Sequence, residues 1–129
     1  MARWHTRPKR KPTGGLLKKN AKKKSRTKGS EFLETRIGQR KTKTKRVRGG
    51  KEKNKILAAD YVNVSDPQGK TMKKAKIITV EGNPANVHYV RRNVITKGAV
   101  VKTDAGSVRI TSRPGQTGSL NGILLKKEK

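Results

Sequence analysis

The sequence predicts an all-β protein: a small antiparallel, six-stranded, barrel-like domain preceded by a long, basic, irregular N-terminal extension. Three observations lead there. From Lys55 onward, short stretches rich in Val and Ile alternate with turn-forming residues, and no long helical pattern separates them. The charge is uneven: residues 1–53 hold 21 Lys and Arg against 3 acids, and residues 54–129 hold 14 against 5. Most of the Val and Ile lie in the second part, so the first cannot bury enough apolar surface to offset the entropy of ordering it. The boundary between extension (1–53) and domain (54–129) is expected near Lys51–Asn54, and the extension is expected to be irregular unless bound.

The extension opens with Trp4 and His5 among cations that include Arg7, Lys9, Arg10 and Lys11. An exposed Trp beside cations either stacks on a base or ribose or anchors on the globular domain. In KPTGG, Pro12 biases Lys11 toward an extended backbone. Thr13 offers a hydroxyl, and Gly14 and Gly15 let a backbone approach a phosphodiester closely; the same tripeptide also makes a simple turn. Leu16 to Lys28 has too few apolar residues for a buried helical face. Ser30 and Glu31 suit a helix start, and Phe32, Leu33 and Ile37 are expected to pin the extension to the domain.

Gly38 to Gly50, GQRKTKTKRVRGG, is the most informative stretch. Thr42, Thr44 and Val47 are β-branched and favour an extended chain. Alternate residues of such a chain point to opposite sides. Lys41, Lys43 and Lys45 then line one side, and Arg40, Arg46 and Arg48 the other. Neither side suits an apolar core, so anions are expected around it, and Gly49 and Gly50 release the backbone where the domain begins.

In the domain, strands are expected at Ile56–Val64, Lys73–Val80, Val87–Val90, Ala99–Thr103, Ser107–Thr111 and Leu120–Leu125. Turn signals stand between them at Asp66–Gly69, Glu81–Pro84, Thr96–Gly98, Asp104–Gly106 and Arg113–Gly118. Two stretches offer more than structure. NVHYVRRN at Asn86–Asn93 groups His88 and Tyr89 with Arg91 and Arg92, which suits irregular RNA or a strand with solvated arginines. TSRPGQTG at Thr111–Gly118 is an RNA-facing loop around Arg113 or a long hairpin turn.

The net charge of +27 bounds the function. Self-repulsion on that scale opposes compaction of the isolated chain, and nucleic acid has the charge density to offset it. No long apolar run points to a membrane. With no cysteine and two distant histidines, neither disulfide nor metal site is expected. Gly69-Lys70-Thr71 lacks the earlier glycine of a phosphate-binding loop, since Val64 stands there. Asn63-Val64-Ser65 matches a glycosylation acceptor by chance, for the basic N-terminus lacks a secretory apolar segment. No nucleophile–base set or paired carboxylates can be placed in one pocket, so no enzymatic role is expected.

Together the Trp4-His5 opening, KPTGG, TKTKRVRGG at Thr42–Gly50, NPANVHYVRRN at Asn83–Asn93, ITKGA at Ile95–Ala99 and TSRPGQTG resemble the archaeal and eukaryotic small-subunit ribosomal protein family eight. That type is unrelated to the bacterial protein of the same number. The resemblance covers nearly the whole chain. Eukaryotic members carry a large insertion absent here, so the chain is similar to the archaeal form. Where the family has a basic-Tyr-Glu-x-Gly-Arg segment, this chain has KSRTKGS at Lys24–Ser30, and no contact carries over there. The resemblance implies a structural constituent of the small ribosomal subunit, with a β-barrel-like domain and a basic extension reaching into RNA. Expected partners are small-subunit ribosomal RNA and neighbouring ribosomal proteins, in the cytoplasm. No membrane, small-molecule substrate, cofactor or homo-oligomer is expected. The residues alone leave open a free nucleic-acid chaperone, a DNA-compacting protein, or a module docking on acidic protein.

Overall fold

The computed structural model describes residues 8–18, 24, 29, 32–67, 69 and 71–125. It forms two units, Met1–Phe32 and Leu33–Lys129. In the first, KPTGG is a tight hairpin. The Gly14 N–H donates to the Lys11 carbonyl at 2.9 Å, and the Lys11 N–H to the Gly15 carbonyl at 2.8 Å. Gly14 takes φ +84°, which closes a three-residue loop at little steric cost for glycine. Arg10 and Leu16 bridge the hairpin's arms.

The second unit contains β1 (Thr35–Ile37), β2 (Lys41–Arg46), a 3₁₀ turn (Arg48–Gly50), β3 (Glu52–Ala59), β4 (Tyr61–Asp66) and β5 (Thr71–Gly82). There follow α1 (His88–Arg91), β6 (Val94–Ile95), β7 (Val100–Thr103), β8 (Gly106–Ile110) and β9 (Asn121–Leu124). Five strands, β4-β5-β7-β8-β9, close a barrel, and the other four form a sheet in the order β2-β3-β1-β6. Pairing is antiparallel except between β4 and β9 and between β1 and β3.

Two local departures separate the observed barrel from the expected one, and the second of them lowers its strand count from six to five. The expected strand Ile56–Val64 turns a corner at Asp60, so that β3 joins the sheet and β4 the barrel. Continuous alternation from Ile56 to Val64 would have placed Asp60 on the buried face. The corner instead buries Ala59 and Val62, and the Asp60 carbonyl accepts from the Ile77 N–H at 2.8 Å. The expected strand Val87–Val90 is α1. Its Val87 is 81% exposed, so the apparent alternation had no core to face. The other four expected strands stand within two residues of their observed ends.

Residues 35–50, expected to be irregular, carry β1, β2 and the 3₁₀ turn, and β2 pairs with β3 across the expected boundary. Thr35 to Ile37 is a strand instead of the continuation of a helix; Ser30 and Glu31 lie outside the described residues. Ile37 packs against the core as expected, whereas Phe32 is exposed.

Small aliphatic residues fill the barrel: Val62, Val64, Ala75, Ile77, Val80, Val101, Val108 and Ile110, with Leu120 at one end. Gly122 completes the packing. A Cβ there would stand 2.5 Å from Val108 Cγ1 and 2.9 Å from the Arg109 carbonyl oxygen.

Candidate nucleic-acid interface

β2 is the edge strand of the four-stranded sheet, and all six of its residues are exposed. Its two sides become distinct through pairing with β3. Directly opposed residues share a face. On one face Lys43 opposes Lys55, and Lys45 opposes Lys53. On the other, Thr42 opposes Ile56, Thr44 opposes Asn54 and Arg46 opposes Glu52. The Thr44 hydroxyl donates to Asn54 Oδ1 at 2.8 Å. One face is thus self-complementary, and the other is a square of four lysines. Lys41 lies beyond a register shift, opposite Ala58.

Like charges directly opposed across strands destabilise a sheet. None of these four lysines is ion-paired with a described residue, in contrast to Arg36 and Arg92, which both pair with Glu34. Lys53 Nζ donates to Gln116 Oε1 at 2.9 Å, a neutral partner that leaves its charge in place.

The loop TSRPGQTG is seated on β3. The Ile56 N–H donates to the Pro114 carbonyl at 2.9 Å, and Gly118 lies flat against Asn54, where a Cβ would stand 3.1 Å from that residue's Cβ. Arg40 Nη2 reaches the Gly118 carbonyl at 3.2 Å. The Arg113 carbonyl accepts from the Gln116 and Thr117 N–H groups, both at 3.0 Å, leaving its exposed side chain at the turn's start. Arg48 is exposed, and Gly49 and Gly50 both have left-handed φ, +76° and +73°.

α1 sits elsewhere. It packs on β5 and β6, and β6 is the opposite edge of the four-stranded sheet from β2. His88 and Arg91 are exposed and Tyr89 is half-buried. Arg92 binds the Glu34 carboxylate, which also receives Arg36 at 3.0 Å. The Arg36 hydrogen bond is the largest influence and lowers the Glu34 carboxyl; burial comes next and opposes it, and the Arg92 charge and hydrogen bond then add to the lowering, so the group titrates below its ordinary range.

Three asparagines shape this segment. Buried Asn83 donates to the Val94 carbonyl at 3.1 Å and accepts from the Ala85 N–H at 3.0 Å and the Thr96 hydroxyl at 2.9 Å. Asn86 Oδ1 accepts from the His88 N–H at 2.9 Å. Asn93 has φ +51°, and its Oδ1 accepts from the Thr79 hydroxyl and the Val80 N–H.

Of the residues expected at an RNA site, Arg40, Lys41, Lys43, Lys45, Arg46, Arg48, Gly49, Gly50 and Arg113 come together around β2, β3 and the loop. His88, Tyr89, Arg91 and Arg92 form a separate group. Lys9, Arg10, Lys11, Thr13, Gly14 and Gly15 are exposed on the first unit's hairpin, where Arg10 Nη1 donates to the Gly14 carbonyl at 2.7 Å. Trp4, His5 and Arg7 lie outside the described residues. Lys53 and Lys55 were not expected at the site, although KEKNK at Lys51–Lys55 alternates cations with the same period as β2.

A strand-built scaffold that presents four lysines on one face, none of them ion-paired with a described residue, has the chemistry of a polyanion-binding protein. Among the described residues there is no group of acids, histidines or cysteines able to hold a metal, and no helix long and apolar enough to cross a membrane. Residues 4–125 match the family model described as ribosomal protein S8e, and the chain belongs to that family. It is 46% identical over 128 residues to small ribosomal subunit protein eS8 of Methanococcus aeolicus, covering 98% of this chain and 100% of that one. It is 47% identical over 116 residues to the protein of the same name from Picrophilus torridus, covering 90% and 93%. With that of Sulfolobus acidocaldarius it shares 47% over 119 residues, covering 92% and 93%.

Proposed function

We infer that this chain is a structural, non-catalytic constituent of the small ribosomal subunit that binds and stabilises its ribosomal RNA. The observation that carries the reading is the lysine square of β2 and β3, in a chain whose family members are ribosomal proteins. Four cations that no described carboxylate meets are stable beside phosphates and repel one another without them.

Residues 1–53 supply most of the contacts, and residues 54–129 are chiefly the scaffold. The contacting residues include the β2 cations, Arg40, Arg48, Gly49, Gly50 and Arg113. Trp4, His5, Arg7 and the KPTGG hairpin add contacts from the N-terminal side, and His88, Tyr89, Arg91 and Arg92 add a further patch. Arg92 is steered by Glu34. Neighbouring ribosomal proteins complete the surroundings, and the protein works as a single copy, since two copies of net charge +27 repel.

The test is a quadruple substitution, Lys43→Gln, Lys45→Gln, Lys53→Gln and Lys55→Gln, measured for binding to a small-subunit ribosomal RNA fragment across a salt series. The log–log slope should flatten by about 0.7–0.9 for each lost phosphate contact. A parent slope in the variant would reduce this face to solvated lysines. Sedimentation with the small subunit through a moderate salt wash separates this role from that of a free nucleic-acid chaperone.

A further inference from the structure

A different surface of the barrel combines aromatic, amide and ammonium groups. β4 lies between β5 and β9. The register sets Tyr61 opposite Lys76, Asn63 opposite both Lys74 and Asn121, and Ser65 opposite both Met72 and Ile123. Val62, Val64 and Ala75, the alternating neighbours, are core. The three rows therefore share the outer face.

On that face Tyr61 is 43% exposed, and Lys74 Nζ lies 4.4 Å from the centroid of its ring. Asn63 Nδ2 donates to Asn121 Oδ1 at 3.1 Å, which aligns the two amides side by side and leaves Asn63 Oδ1 and Asn121 Nδ2 for another partner. Met72 and Ile123 add exposed apolar surface in the next row. None of the three rows contains an acid. The Asp104 carboxylate reaches β5, but it accepts from the Lys76 backbone N–H at 3.1 Å.

We propose that this face is a second RNA-binding surface, and that it takes a single-stranded segment whose base stacks on Tyr61. Lys74 and Lys76 meet its phosphates, and the Asn63–Asn121 pair meets a base edge. The inference rests on the reading of the chain as an RNA-binding ribosomal protein. A duplex offers phosphates to a lysine surface but keeps the faces of its bases stacked; only an unpaired base can use an exposed ring and a pair of amides. The cation–π contact of an exposed ring is weak, so a base can displace the Lys74 ammonium, which then moves onto the neighbouring phosphate. This face belongs to the barrel and the lysine square to the other sheet. One molecule then ties an unpaired segment to a second stretch of RNA.

The test uses the full chain, isotope-labelled, titrated with a hexameric oligoadenylate at about 0.3 M salt, where phosphate-only binding is weakened. The Tyr61 backbone signal and the side-chain amide signals of Asn63 and Asn121 should shift. Tyr61→Leu should weaken oligoadenylate binding by about 5- to 150-fold, the loss of one stacked base, while Tyr61→Phe stays within about twofold because the ring is retained. The quadruple lysine variant of β2 and β3 should keep these shifts. Parent affinity in a folded Tyr61→Leu protein, or shifts confined to β2 and β3, would overturn the proposal and leave this face to a protein neighbour. If ribosomal RNA binding persists in that case, only this inference fails; if the parent chain does not bind ribosomal RNA at all, the functional reading fails first.

Discussion

Asn83 shows how much one buried amide can hold. It makes three hydrogen bonds, to Val94 in β6, to Thr96 just after it and to Ala85 two residues along its own loop, and it is 8% exposed. Asn83→Ala should destabilise the free chain by about 1.5–4.5 kcal/mol, the sum of three ordinary hydrogen bonds, read from urea unfolding midpoints. Asn83→Asp keeps the two acceptor contacts but turns an oxygen toward the Val94 carbonyl, so it should not rescue stability. At Asn93 the backbone is the first constraint. Asn93→Gly should cost less than Asn93→Val, because a β-branched residue is strained at positive φ. Glu34 answers to pH. Its carboxyl titrates below its ordinary value of 4.5, so its ion pairs stabilise the fold fully above that value and lose effect as pH falls through the lowered one. The difference in unfolding midpoint between the parent and Glu34→Gln should be constant from about pH 7 to about pH 5 and shrink below that. A difference that instead grows on acidification would contradict the pairing with Arg36 and Arg92.

At the scale of elements, the β2–β3 hairpin places function and stability in opposition. Lys43 opposite Lys55 and Lys45 opposite Lys53 each destabilise the free sheet. The quadruple glutamine variant should therefore melt at a higher temperature than the parent at low salt, while binding ribosomal RNA less tightly. An unchanged melting temperature would mean that the ammonium groups splay far enough apart to be screened. β9 makes the reverse demand. Gly122→Ala should destabilise the barrel by about 1–3 kcal/mol, because the new methyl meets Val108 and the Arg109 carbonyl. These two elements also mark what was legible in the chain. The extended, alternating character of β2 is written in its threonines and lysines, and four of the barrel strands in their valines and isoleucines. The partner of β2 was not legible, because KEKNK has no apolar pattern to announce a strand. The helical turn at Val87–Arg91 was hidden for a related reason. It depends on side-chain bonds from Asn83 and Asn86, which local propensity does not report. Tyr61 faces outward because it alternates with the buried Val62 and Val64, but the sequence does not show that Lys74, Lys76 and Asn121 share its face; the register does.

For the whole molecule, the net charge of +27 makes salt act with opposite signs on folding and on binding. In the free chain, added salt screens repulsion among cations, so the unfolding midpoint should rise with ionic strength over the low-salt range. In the complex the same salt competes with the protein for phosphates, so affinity should fall linearly on a log–log scale, by about 0.7–0.9 per contact. The lysine square alone then accounts for a slope of about 2.8–3.6, and any larger slope reports contacts made from cations outside the square. Limited proteolysis locates the part that folds unaided. The sequence places the first resistant residue near Asn54. The strand pairings of β1 and β2 with β3, together with the burial of Thr35, place it near Leu33. A stable fragment beginning near Leu33 in the absence of RNA should keep the lysine square and hence most of the salt slope. A fragment beginning near Asn54 would have lost β2 and three lysines of the square, Lys43, Lys45 and Lys53, and its slope should fall by about 2.1–2.7 relative to the intact chain from that loss alone. If the resistant fragment starts near Leu33 but binds with no measurable salt dependence, the lysine square is not the principal contact, and affinity must reside in the segment that was removed.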